Sequence, residues 1–211
     1  MVEHTATSTA DVRAVHVGPM DNVAYLLTCR ASGAQLLVDA ADEPDTLLDL
    51  VQEGDPDGRL GTVVTTHRHR DHVGALEALV EATGASTAAG ADDADHLPVP
   101  VDRRLAHGDV LRVGELALEV VHLRGHTPGS VALVLRDPAG PDHVFTGDSL
   151  FPGGVGNTRG DAGDFAQLLG DVTERLFAVL GDDTVVHPGH GAPTTLGRER
   201  PQLPQWRERG W

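Results

Sequence analysis

At 211 residues the chain is long enough for one large core and short for two. Its 16 cationic residues are all arginine, set against 32 acidic ones, and the net charge of −16 repels nucleic acid and anionic membrane surfaces, while the lack of lysine excludes Schiff-base chemistry. Cys29 is the one cysteine, so no internal disulfide forms and the chain reads as cytoplasmic; no stretch reaches the roughly 18 apolar residues of a membrane span.

Residues 1–10 are small and polar, with neither a basic start nor an apolar run, and read as a flexible N-terminus; residues 11–211 read as a single domain. Short apolar runs at 12–17, 23–28 and 35–39, separated by Gly-Pro and Ser-Gly turn signals, predict an opening antiparallel meander. Pro44 suits a first helical position, with Leu47, Leu48 and Val51 at helical spacing. A strand over 60–65 runs into a histidine cluster. From Asp71, the apolar positions Val73, Leu76, Leu79 and Val80 predict a helix stopped by Gly84. Strands follow at 110–113, 115–122, 131–135 and 143–146, then a helix over 164–180 and a strand at 184–186. Two groups of strands, each followed by helix and strand, predict an α/β protein: two sheets face to face with helices outside, a four-layer αββα sandwich.

The segment Thr66-His67-Arg68-His69-Arg70-Asp71-His72 lies where a strand gives way to a helix. At i and i+2 of an extended segment, His67 and His69 project to one side and both reach one cation, while Asp71 and His72 turn toward a neighbouring position. Three later segments end predicted strands: Gly125-His126-Thr127-Pro128-Gly129-Ser130, Thr146-Gly147-Asp148-Ser149-Leu150-Phe151, and His187-Pro188-Gly189-His190-Gly191. Each alone is a common turn.

Together, in this order and spacing, the four segments resemble the metallo-β-lactamase superfamily from about residue 12 to 196. The resemblance implies two divalent cations, zinc in the first place, with iron and manganese accepted by the same donors. It puts one on His67, His69 and His126 and the other on Asp71, His72 and His190, with Asp148 bridging. It also implies a soluble hydrolase acting on a small-molecule substrate, with Asp71 orienting the water as well as ligating. In that turn the Pro-Gly-His triplet selects His190 and leaves His187 a packing or supporting role.

True class B β-lactamases mostly carry cysteine where Asp148 stands. Aspartate is the pattern of glyoxalase II, of lactonases and of transfer-RNA nucleases, and the acidic charge disfavours the last. The pairing of GHTPGS with TGDSLF is most similar to glyoxalase II, which implies thioester hydrolysis on an acylated small thiol. Only some 20 residues follow His190, too few for the helical domain that forms much of the glutathione pocket in full-length glyoxalase II. The glycine-rich loop also ends in Asn157 rather than arginine, so another thiol such as mycothiol is a candidate. The alternatives are a persulfide dioxygenase with one iron on His67, His126 and Asp148, a lactonase, and a non-catalytic metal-holding module.

His4, His16, His96, His107, His122 and His143 have no ligand-spaced partner and read as surface or satisfied strand residues. Cys29 reads as packing. Arg68 and Arg70 alternate with the cluster histidines, either solvated or touching an anionic substrate. Both tryptophans, Trp206 and Trp211, fall in the last residues, which predicts docking onto the body or onto a second copy in a homo-oligomer.

Overall fold

The computed structural model describes residues 2–55 and 59–210. Its first sheet runs in chain order through β1 (Val2–Ala6), β2 (Ala10–Val17), β3 (Asn22–Cys29), β4 (Gln35–Val38), β5 (Leu60–Thr65), β6 (Ser86–Gly90) and β7 (Arg103–Leu105). The first four strands pair antiparallel and the last three join in parallel. Parallel neighbours need crossovers. Helices α1 (Pro44–Gly54) and α2 (Leu76–Thr83) supply two of them.

The second sheet contains β8 (Val110–Val113), β9 (Leu116–His122), β10 (Val131–Leu135) and β11 (His143–Gly147) as an antiparallel meander. After a small hairpin of β12 (Leu150–Phe151) and β13 (Gly154–Val155), helix α3 (Ala162–Val172) crosses to β14 (Val185–Pro188), which pairs in parallel with β11. Strand β15 (Thr194–Thr195) then closes the edge, and α4 (Leu196–Glu199) and α5 (Leu203–Arg209) end the described chain. No helix among the described residues is long and apolar enough to cross a membrane.

The four layers follow from side-chain alternation. In β3 every residue is buried, yet Val23, Tyr25 and Leu27 join the core between the sheets while Ala24 and Leu26 join the core under α1 and α2. Strand β10 divides likewise, Val131, Leu133 and Leu135 facing inward and Ala132 and Val134 facing α3. The αββα sandwich expected from the sequence is the observed architecture.

Several elements differ from the expectation. Residues 2–6 form a fully paired edge strand rather than a frayed end, although all five side chains are exposed. The pairing is set up by Thr7, whose buried hydroxyl accepts from the backbone N–H of Ala10 at 2.8 Å, so the small polar residues are turn chemistry. The helix expected from Asp71 starts five residues later, after a 3-10 turn at Arg70–His72. Gly74 and Ala75 donate instead to the carbonyls of Ala41 and Ala40, which withdraws those groups from helix formation. The long helix over 164–180 begins at Ala162, capped by Asp161, and gives way to a wide π turn at Thr173–Phe177. Strands β6 and β7 were hidden because Ser-Thr-Ala-Ala-Gly and Arg-Arg-Leu carry little β signal.

Trp206 is buried in the core beneath α3, 6.4 Å from Phe177 in an edge-on arrangement. The docking expected of the tail is therefore onto the body at this residue; Trp211 lies outside the described residues.

Candidate metal centre

The seven residues singled out from the sequence converge at one end of the sandwich. His67, His69, Asp71 and His72 follow β5 of the first sheet; His126, Asp148 and His190 follow β9, β11 and β14 of the second. Each leaves the C-terminal end of its strand, so two rigid sheets hold the cluster from opposite sides.

Three overlapping sets bring their donor atoms within 4.8 Å of one another: His67, His69 and His126; His67, His72 and Asp148; and Asp71, His72 and His190. The Nε2 atoms of His67 and His126 lie 3.3 Å apart, as do those of His72 and His190. Asp148 lies between these pairs, Oδ1 3.3 Å from His72 Nε2 and Oδ2 3.6 Å from His126 Nε2 and 3.5 Å from His190 Nε2. Asp71 Oδ2 lies 3.2 Å from His190 Nε2. His187 belongs to none of these sets. It stacks on Phe145 with ring centroids 4.7 Å apart and shares a 2.9 Å hydrogen bond with His143, both in the interior. His4, His16, His96, His107, His122 and His143 also stand outside the sets.

The far nitrogens show why the near ones face inward. Nδ1 of His126 donates to the Asn157 carbonyl at 2.8 Å, that of His190 to the Met20 carbonyl at 2.9 Å, and that of His72 to Asp39 Oδ2 at 2.8 Å. Thr66 Oγ1 donates to Asp39 at 2.7 Å and so accepts from His67 Nδ1 at 3.1 Å. A proton fixed on Nδ1 leaves a neutral ring its Nε2 lone pair, the form that binds metals. His69 differs, its Nε2 accepting from the guanidinium of Arg159 at 3.1 Å.

Sequence reasoning missed this supporting layer. Asp39 is buried in a left-handed conformation, φ 59°, and holds both His72 and Thr66. Its only sequence signal is a carboxylate closing an apolar strand. Asp93, fully buried, accepts from the Arg68 and Gly129 backbones and from Thr127 Oγ1, tying the first motif to the second. Asn22 donates to Asp71 Oδ2 at 3.0 Å.

The electrostatics suit a cation. Burial pushes His67 far below the ordinary imidazole range, with neighbouring His72 adding to it, and burial likewise lowers His69 and His126. Burial opposes charge on His72 too, but Asp39 and Asp148 overcome it and push this ring up to about 10. Burial would raise Asp148, yet His190 and His72 against its oxygens hold it far below the usual carboxylate range. Its Oδ1 is buried and makes no hydrogen bond, its charged neighbour being the His72 ring 3.3 Å away. Gly189 supplies the room: a Cβ there would strike Asp148 Oδ1 and lie 2.7 Å from His72 Cε1. Opposed lone pairs, an orphaned carboxylate oxygen and a cradle free of side chain are what a divalent cation needs.

A family model described as the metallo-beta-lactamase superfamily matches residues 17–190. A hydroxyacylglutathione hydrolase of Jannaschia sp. is 40% identical over 170 residues, which are 81% of this chain and 62% of that protein. The chain thus spans less than two thirds of the length of that relative. Among solved structures, TTHA1623 in a di-iron-bound form is 35% identical with a TM-score of 0.70, over 89% of this chain and 96% of the other. ETHE1 from Myxococcus xanthus is 31% identical with a TM-score of 0.80, over 93% and 84%.

Proposed function

The chain belongs to the metallo-β-lactamase superfamily, and we propose that its seven donors hold two divalent cations serving a glyoxalase II-like hydrolysis of small-molecule acyl thioesters. The observation that carries this reading is Asp148, one carboxylate set between two histidine groups with an oxygen left over. His67, His69 and His126 would hold one cation, Asp71, His72 and His190 the other, with Asp148 shared. The di-iron form of TTHA1623 supports a pair of cations, and the donor chemistry accepts zinc or iron. The name of the Jannaschia relative supports thioester chemistry.

When bound, such cations supply Lewis acidity and bring the pKa of a water toward neutrality. The protein's own groups do the rest. Asp71, steadied by Asn22, accepts a hydrogen bond from the attacking water and orients it. Water adds its oxygen to the acyl carbon, the carbon–sulfur bond breaks, and a carboxylic acid and a free thiol leave. Asp39, Thr66 and the carbonyls of Asn157 and Met20 fix the ring orientations, so little reorganisation accompanies the reaction. The single buried cysteine fits a reducing, cytoplasmic setting.

The likeness to ETHE1 favours a second reading, a mononuclear iron dioxygenase using His67, His126 and Asp148. The two separate on one panel: metal-loaded protein is offered S-lactoyl thioesters, lactones and a glutathione persulfide, with thiol release and oxygen uptake recorded together. Thiol release from thioesters without oxygen uptake supports the hydrolase; oxygen uptake on the persulfide overturns it.

A further inference from the structure

A hollow of about 600 Å³ opens beside His69 and His126, and four of the chain's sixteen arginines line it: Arg68, Arg70, Arg124 and Arg159. Only Asp92 and Asp164 face them there. In a chain with twice as many acidic as basic residues, this wall reverses the average charge. Two of the four are already matched. Arg124 forms a two-pronged bond to Asp171, both contacts at 2.9 Å, and Arg68 Nε lies 3.6 Å from buried Asp93. The other two have no such partner: among the described residues the Arg70 guanidinium pairs with no carboxylate, and Arg159 reaches only the His69 ring. Both are exposed, one in the turn that carries Asp71 and the other beyond the loop that carries Asn157.

We infer that Arg70 and Arg159 form a carboxylate-binding subsite, so that the substrate carries an anionic group at the arginine wall while its thioester reaches the histidine cluster. This rests on the thioesterase reading above. The guanidinium fork matches the two oxygens of a carboxylate, and an unmatched pair of cations beside a cleft draws anions that the rest of the surface repels. The carboxylate belongs either to the acyl arm or to the thiol arm, and the substrates chosen separate these.

Three thioesters are compared on the metal-loaded protein: S-acetyl-N-acetylcysteamine, which is neutral; S-succinyl-N-acetylcysteamine, charged on the acyl arm; and S-acetyl-3-mercaptopropionate, charged on the thiol arm. One charged substrate is expected to exceed the neutral one in kcat/KM. Arg70→Gln or Arg159→Gln is expected to lower that preference by about tenfold, mainly through KM, with partial recovery in the lysine variants. Binding of two non-hydrolysable analogues, 3-(methylthio)propionate for the thiol arm and 5-(methylthio)-4-oxopentanoate, with a methylene between carbonyl and sulfur, for the acyl arm, followed by calorimetry, gives a reading independent of turnover. Binding that weakens in both glutamine variants supports the subsite even where no thioester is cleaved, an outcome that would end the hydrolase reading alone. Equal rates on all three thioesters, or anion binding indifferent to both arginines, overturns the subsite and leaves the hydrolase reading intact.

Discussion

Replacing Asp39 with asparagine exchanges one buried oxygen for an amide group without asking the backbone to move, since asparagine accepts the left-handed conformation found there at φ 59°. The native carboxylate accepts three hydrogen bonds: Thr66 N at 2.7 Å on Oδ1, and Thr66 Oγ1 at 2.7 Å and His72 Nδ1 at 2.8 Å on Oδ2. With the remaining oxygen kept on Thr66 N, the new NH2 faces two groups that donate in the native protein, and it pairs with them only if the Thr66 hydroxyl turns to accept and His72 Nδ1 gives up its proton. His72 is then driven toward the tautomer protonated on Nε2, the atom directed at Asp148 and His190. Loss of a partner that orients a metal ligand costs about 10- to 100-fold in metal affinity, or about 1.4–2.8 kcal/mol. Competition against a chromogenic chelator at fixed pH measures it, with the thermal midpoint of the metal-free protein as a check on folding. Affinity within twofold of the native protein would reduce Asp39 to a structural acid with no hold on the cation site.

Burial holds His187 down to about 3, against about 6.5 in an unfolded chain, so the unfolded state binds more protons between these values. Stability is therefore complete above pH 6.5 and is lost as pH falls toward 3. In His187→Phe the slope of unfolding free energy between pH 4 and pH 6 should be shallower by about 1.4 kcal/mol per pH unit; a urea series giving parallel slopes would count against it. Without metal, His72 keeps its proton up to about pH 10, so cation uptake should release protons and strengthen as pH rises. Calorimetry in buffers of different ionisation enthalpy reads this release, and identical heats would contradict it. Trp206→Ala empties a fully buried site and should cost about 3–5 kcal/mol in denaturant unfolding; a cost under about 1 kcal/mol would show that α5 contributes little to the core.

What could be read from the sequence had a physical cause. Strand Val131–Leu135 is an apolar run bounded by turn residues because both its faces are buried, and Leu60–Thr65 is marked by Val63 and Val64, which enter the cores on opposite faces; both fall at the expected bounds. The convergence of His67, His72, Asp148 and His190 was legible because each stands in a short motif following a strand, Asp148 and His190 with glycine beside them. Asp39, Asn22 and Asp93 were not, because each acts through a partner 25 or more residues away and its own neighbours in the chain carry no sign of it. The start of α2 was misplaced for a related reason: Gly74 and Ala75 bond to the loop after β4, a tertiary contact that overrides helical spacing. The arginine wall is likewise invisible in one dimension, since Arg70 and Arg159 are far apart in the chain and line one hollow only in the folded protein.

Two cations sharing one carboxylate fix a stoichiometry, and the number of metal ions retained per chain reads it. Elemental analysis of protein loaded with zinc or ferrous iron and freed of excess is predicted to give two ions per chain in the native sequence, and clearly fewer in Asp148→Asn. One ion per chain in both proteins would rule out a pair of cations shared through Asp148.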